Sequence, residues 1–435
     1  MTDTSQRPFG FWTATALIVG GMIGSGIFLL PVAIAPFGWT GVLAWVVSIA
    51  GALCIAFAIA RLTQAMPQES GIVAICGAVL GPIPGLLVGW SYWVSVWAAV
   101  AAIAIAAASY LSVFVPALNA TPLTGAMTAV AIIWCLTALN LAGAVVAGRF
   151  QVLTTVLKLL PLIAVAIILA VIVPTGQAPL PPLPVAGGWT TGLFAVVTLT
   201  LFPLLGFECA GIAAERVRDP ARTIMRATMV GTTLTGLFYI IVCSGIALTL
   251  PADQLAASNA PFELFIRTWV GASAGYAVAA FAAIAAIGAL NGWVLIQGEV
   301  PLGMARAGLL PPWLAKTAAR DVPVRILIAS SVLASLLVLT TSSPTLGGVF
   351  TFVALLTTSA SLWLFAAICI ASLIRRIAIP TAAAGLIFSA VAMVGAGIEV
   401  SALSLGLMLT ALPLYWMRGS QSALAKNAPG VYDAH

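Results

Sequence analysis

Charge is scarce in this chain. Asp, Glu, Lys and Arg together make up 6% of its 435 residues, where a soluble domain carries about 25%. Hydrophobic residues make up 62%, so the core is set by a bilayer and the chain reads as a polytopic membrane protein. Histidine is almost absent. The single one is His435, the last residue, which removes histidine-based catalysis and histidine metal ligation together. The six cysteines (54, 76, 135, 209, 243 and 369) fall mostly inside apolar runs, with no CxxC or paired spacing. Buried thiols are therefore expected, and neither a disulfide frame nor a metal site. A GxxxxGK[ST] loop is missing, which leaves ATP-driven transport without support. The first apolar segment is too long for a removable signal peptide and lacks a small-residue cleavage site. The net charge of +6 does not point to nucleic acid, because the basic residues are scattered between apolar spans. No cofactor is implied.

What is present is a series of apolar runs. Twelve stretches reach the roughly 20 residues a membrane-crossing helix needs: 11–35, 38–60, 84–114, 123–142, 150–173, 191–214, 225–249, 275–301, 324–341, 346–374, 380–397 and 400–417. None alternates as a membrane barrel strand does, so the expected fold class is all-α, with short connections. The basic residues set the orientation. Almost every Lys and Arg falls on one side, from Arg7 and Arg61 through Arg149, Arg222, Arg306 and Arg375 to Lys426; Arg267 alone falls on the other, and Lys158 lies inside a span. Both termini, 1–10 and 418–435, are thus expected in the cytoplasm of a cell or inner membrane.

Two spans carry interruptions. The first contains Gly20-Gly21-Met22-Ile23-Gly24-Ser25-Gly26-Ile27-Phe28. Each Gly there costs a helix roughly 1 kcal/mol relative to Ala, and a freed backbone group in lipid costs several kcal/mol unless something satisfies it. Such a stretch is either a close-packing glycine face or a broken helix that grips a ligand. In the second case the open N–H groups near Ser25 and Gly26 form a site for a carboxylate. The sixth span reads Leu201-Phe202-Pro203-Leu204-Leu205-Gly206-Phe207-Glu208. Pro203 removes a backbone donor and Gly206 adds a flexible joint. Breaks at corresponding places five helices apart are the mark of an inverted repeat with its ligand at the repeat interface. The expected organisation is a first repeat over 11–174, a second over 191–374, and two extra helices over 380–417.

At this point the chain resembles a known family. Gly24-Ser25-Gly26-Ile27-Phe28 with Pro31, Gly206-Phe207-Glu208 leading to Asp219-Pro220, and Gly308-Leu309-Leu310-Pro311-Pro312 are similar to the amino acid–polyamine–organocation superfamily. Within it they resemble the basic amino acid/polyamine antiporters of the arginine/agmatine type. The resemblance runs from about residue 11 to 417. It implies a twelve-helix fold of the leucine-transporter type that works by alternating access. It also implies that Gly24, Ser25 and Gly26 surround the substrate carboxylate. The carbonyls of Ile23, Phe202 and Leu205 would take the α-amino group, and Phe202 and Trp293 would be aromatic gates. Glu208 would be proton-responsive with Tyr92 beside it. Several positions depart from the arginine/agmatine pattern: Phe202 stands in place of Trp, Gly21 in place of Asn, and Val100 and Phe352 where polar contacts would be. These leave a site for the amino acid head but not an obvious one for a guanidinium. Lys158 resembles the fifth-helix lysine of sodium-independent relatives, which links the first and eighth helices.

Charges inside the bilayer cost at least about 3 kcal/mol and usually face a cavity or a partner. Glu208 reads either as a proton-linked carboxyl or as a cap on the following half-helix. Lys158 lies nine residues past Arg149, about 13 Å along a helix, and reads either as a coupling residue or as a snorkelling one. The expected function is a secondary transporter of amino acids or derived amines, working by exchange, with or without proton linkage. The alternative is transport of neutral or broad-range amino acids. A membrane enzyme would need clustered His, Cys or acids, and a channel a continuous polar lining; neither pattern is present. The partners expected are a small-molecule substrate and lipid, with protons and a second copy of the chain as further candidates.

Overall fold

The computed structural model describes residues 11–24, 26–69, 71–142, 157–178, 180–184, 192–208, 220–318, 322–341 and 345–415. Among these residues the chain is mostly helical and holds no strand. The first helices are α1 (Phe11–Met22), α2 (Gly26–Ile34), α3 (Trp39–Ala65), α4 (Ile72–Leu80), α5 (Pro82–Leu111) and α6 (Pro122–Leu141). They are followed by α7 (Leu159–Ile172), α8 (Leu193–Leu201) and α9 (Pro220–Tyr239). A π-helical turn at Ile240–Ser244 joins α9 to α10 (Gly245–Thr249). Then come α11 (Ala252–Ala256), α12 (Pro261–Trp269), α13 (Ala272–Arg306), α14 (Val324–Thr340), α15 (Leu346–Ile374), α16 (Ile379–Gly395) and α17 (Ile398–Leu409).

Seven described helices are long and apolar enough to cross a membrane, and shorter apolar helices such as Leu159–Ile172 and Ile379–Gly395 lie beside them. This is a multi-pass membrane protein. Two of the expected spans are exceeded: the helices run over Trp39–Ala65 and Ala272–Arg306, because polar residues beyond the apolar core still favour helix. Two of the connections between the expected spans are themselves helical, α4 and α12. Their nine residues each are too few to span a bilayer, so a search for spans passes over them.

The mast of the fold is α5. Every residue from Ser91 to Tyr110 is buried, as expected of a helix with no polar face. Its run of alanines lets α13 and α15 approach closely. Gly89 shows the tightness of this packing, for a Cβ there would lie 2.5 Å from Val73 and 2.8 Å from Met304.

Prolines in these helices free carbonyls that other helices then take up. Pro31 interrupts α2 and Pro301 interrupts α13. Each removes the N–H that would bond the carbonyl four residues earlier. For Pro301 that carbonyl is Gln297, which accepts from the Trp93 indole at 3.2 Å and the Ser330 hydroxyl at 3.4 Å. For Pro31 it is Ile27, which accepts from the Cys243 thiol at 3.5 Å.

Candidate functional site: two facing helix breaks

The first apolar segment is not one rod. α1 ends at Met22, and α2 starts at Gly26. Between them the Ile23 N–H still reaches the Val19 carbonyl at 2.9 Å, and the Gly24 N–H turns back to Met22 at 2.7 Å. Ser25 lies outside the described residues. The carbonyls at the end of α1 have lost helical donors, and distant side chains replace them. Lys158 Nζ donates to the Gly20 carbonyl at 3.2 Å, and the Tyr239 hydroxyl to the Met22 carbonyl at 2.9 Å. Tyr239 opens the π-helical turn that also carries Cys243. One irregular turn thus aims one residue at each half of the broken helix, and π-turns are frequent at functional sites.

The second break follows α8. Phe202–Leu204 tightens into a 3₁₀ turn whose carbonyl at Phe202 accepts from Leu205 N–H at 3.1 Å. Leu205 is then extended, with ψ 142°, and Gly206 turns to φ +112°, a value that disfavours any side chain. The Glu208 carboxylate folds back onto this corner. Its Oε2 accepts from the Gly206 N–H at 2.9 Å and its Oε1 from the Tyr92 hydroxyl at 3.0 Å. Glu208 is buried, so these bonds offset part of the cost of its desolvation.

The two breaks touch. A Cβ on Gly206 would lie 3.3 Å from the Gly21 carbonyl oxygen, and a Cβ on Gly26 would lie 2.7 Å from the Phe202 ring. A Cβ on Gly24 would meet Ala289 of α13 at 3.6 Å, and Trp293 stands one turn further along that helix, buried. The two breaks, which carry the expected residues Ile23, Gly24, Gly26, Phe202 and Leu205, therefore lie against each other. Tyr92 and Glu208 flank the second, and Lys158 holds the end of α1 from behind.

Phe202 pairs edge-to-face with Phe350 of α15, ring centroids 5.7 Å apart. Among the described residues no ring contact joins Phe202 to Trp293. Phe352, where a polar contact would have been, is half-buried and packs against both the main core and the small cluster of Leu356 and Val400. Two residues along a helix turn a side chain to the opposite face, so Phe350 is the one that faces the break. An unmet signal for it existed in the sequence: two Phe close together at the start of a long helix. Only their contacts tell them apart. At the C-terminal end of α2 and the N-terminal end of α15 lies a cavity of about 380 Å³ lined by Val32, Ala33, Asn119, Asn259, Gly347 and Thr351 among others. Among the described residues no group of His, Cys, Asp and Glu gathers to hold a metal ion.

A family model described as amino acid permease matches residues 9–415. The chain is similar to a cadaverine/lysine antiporter of Escherichia coli (strain K12), 31% identical over 353 residues that cover 79% of this chain and 78% of that one. It is similar to a putative arginine/ornithine antiporter of Bacillus subtilis (strain 168), 30% identical over 371 residues covering 78% of each. The putrescine transporter PotE of Escherichia coli (strain K12) is 25% identical over 357 residues covering 80% of each. Among solved structures a manganese transporter of Eremococcus coleocola shares the fold, with a TM-score of 0.52 at 12% identity over 94% of this chain and 93% of that one. All of these relatives are transporters, not enzymes.

Proposed function

The chain belongs to the amino acid permease family, and on that premise we propose that it exchanges an amino acid for an amine derived from one, bound between the two helix breaks. The observation that carries this reading is the close approach of the breaks, Gly206 against the Gly21 carbonyl and Gly26 against Phe202. The N-terminal end of α2 carries the positive end of its dipole. The substrate carboxylate sits there, at Gly24, Ser25 and Gly26. The carbonyls of Ile23, Phe202 and Leu205 receive the ammonium. Phe202 and Trp293 cover the cargo as thin gates, and Phe350 backs the first of them.

Exchange follows from alternating access: twelve helices in an inverted repeat of five and five, with two more at the C-terminal end, rock around a fixed site. The long and shorter apolar helices support that count. Bound cargo has to favour the occluded state, since only differential affinity shifts such an equilibrium. Glu208, with Tyr92 as its partner, takes and releases a proton during the cycle, and Lys158 couples its own helix to the broken one. The membrane is a bacterial-type inner membrane with both termini in the cytoplasm, by the distribution of Lys and Arg. A homodimer is compatible with this reading.

The relatives named for lysine, arginine and diamines favour a dibasic cargo. A second reading, neutral or broad-range amino acids, is favoured by the apolar walls that Phe202, Phe350 and the fully buried Val100 supply. Counterflow in proteoliposomes preloaded with the unlabelled form of each tested compound decides between them: labelled lysine or cadaverine accumulates under the first reading, labelled leucine or alanine under the second. Undiminished flux in both Ser25→Trp and Phe202→Ala would remove the site itself.

A further inference from the structure

One buried hydroxyl joins three elements on the outer side of the breaks. Tyr110 lies in the last turn of α5 and is wholly buried. Its hydroxyl donates to the Phe28 carbonyl of α2 at 2.9 Å and accepts from the Phe262 N–H of α12 at 3.3 Å. The Phe262 N–H belongs to the first turn of its helix, where backbone donors have no partner of their own. The three rings pack together as well. Phe28 meets Tyr110 at 5.7 Å and Phe262 at 5.0 Å, both edge-to-face.

A phenylalanine would fill the same space without the cost of burying a hydroxyl. What tyrosine adds is the pair of hydrogen bonds, and these tie a half-helix at the site to a short helix outside the bundle. We propose that Tyr110 is a positioning residue: through its hydroxyl it latches α12 and the outer half-helix α2 to the rigid α5, and so sets how readily the outer face opens. This rests on the reading that α2 moves during transport. When α2 swings away, both bonds break together. A cavity at the same end of α2 is lined by Val32, one turn past Phe28, and by Asn259, three residues before Phe262, a space from which water can replace them. Closure is favoured by what the hydroxyl supplies over water, while the ring packing alone would leave the face freer.

The test uses the full chain in lipid nanodiscs without substrate. Spin labels go on Thr268→Cys of α12, which is exposed, and on Leu123→Cys of α6, 66% exposed, with the exposed Cys135 replaced by Ser. Tyr110→Phe should raise the population at longer distance roughly tenfold, as loss of two ordinary hydrogen bonds implies. In exchange assays it should lower the KM at the outer face and raise it at the inner face. A Tyr110→Phe distance distribution that superimposes on its parent overturns the latch. Should that variant fail to fold, the unmodified protein still decides. A Phe262 amide slow to exchange hydrogen, and faster with lysine outside, supports the latch; one that exchanges as freely as an exposed amide overturns it. The two readings fail differently. If the breaks are not the cargo site, Phe202→Ala leaves flux intact whatever the distances do. If the latch is wrong, the distances stay fixed while flux still responds to Phe202→Ala.

Discussion

The two halves of the first broken helix are built from similar residues and are held very differently. In α2 every residue from Gly26 to Pro31 is buried, and side chains from two other helices grip its carbonyls at Ile27 and Phe28. In α1 Trp12 is 74% exposed, Gly21 is exposed, and a Cβ on Gly21 would meet nothing within 4 Å. α1 packs on α9, where a Cβ on Gly231 would lie 3.1 Å from Ile18, and its last turn is fastened by Lys158 and Tyr239. Both halves are apolar, so hydrophobicity does not separate them. The difference lies in how many neighbours enclose each half. The half that begins at Gly26 is thus the enclosed one, and the half that ends at Met22 the more exposed.

Several substitutions sharpen or break this contrast. The largest effect is expected at the corner between the halves. Glu208→Ala removes the acceptor for both Gly206 N–H and the Tyr92 hydroxyl, two bonds of the charge-assisted kind, and should cut exchange flux roughly hundredfold. Flux within twofold of the parent would detach Glu208 from the site. Next, Gly26→Val at the start of the enclosed half drives a side chain into the Phe202 ring. Overpacking of that kind costs about 1–3 kcal/mol, readable as a lowered melting temperature in detergent together with lost substrate protection. Tyr239→Phe removes the cap on α1 and should cost about 1 kcal/mol, with amide exchange rising at residues 19–24 and not in α2.

A smaller and opposite effect is expected in the loose half. Gly21→Ala has open space around it and should stabilise α1 by about 0.5–1 kcal/mol; a loss of stability there would mean that α1 is enclosed after all. The smallest concerns α12, outside the membrane. Glu263 is paired with Arg267 at 3.2 Å. Burial pushes its carboxyl above the usual range, and Arg267 pulls it back. A carboxyl raised in the folded state favours folding below its unfolded pKa, and that contribution is lost as pH rises through the folded value. The docking of α12 should therefore loosen slightly from acid toward neutral pH, and Arg267→Ala should move that change to higher pH. Hydrogen exchange across 261–269 against pH reads both.

Much of this was legible in the residue order. An apolar run too long for a soluble core has few conformational options, because lipid offers no partner for an open backbone. The helix Leu346–Ile374 accordingly has the limits its hydropathy sets. The breaks were legible for the same local reason. Gly24, Pro203 and Gly206 weaken or remove helical hydrogen bonds wherever they stand, so their neighbourhood could be picked out before any contact was known. α4, α12 and the π-helical turn were not, since short helices and one extra residue in a turn leave no mark that apolar length can read.

The sequence by itself therefore determined where the chain stops being helical. Only the tertiary structure decided what meets the groups thus set free. Tyr239 answers Met22, Cys243 answers Ile27, Tyr110 answers Phe28, and Phe350 rather than Phe352 answers Phe202. A missing hydrogen bond is a property of one residue and its immediate neighbours along the chain. Its replacement comes from a helix far away in the sequence, chosen by packing, and packing has no local signature.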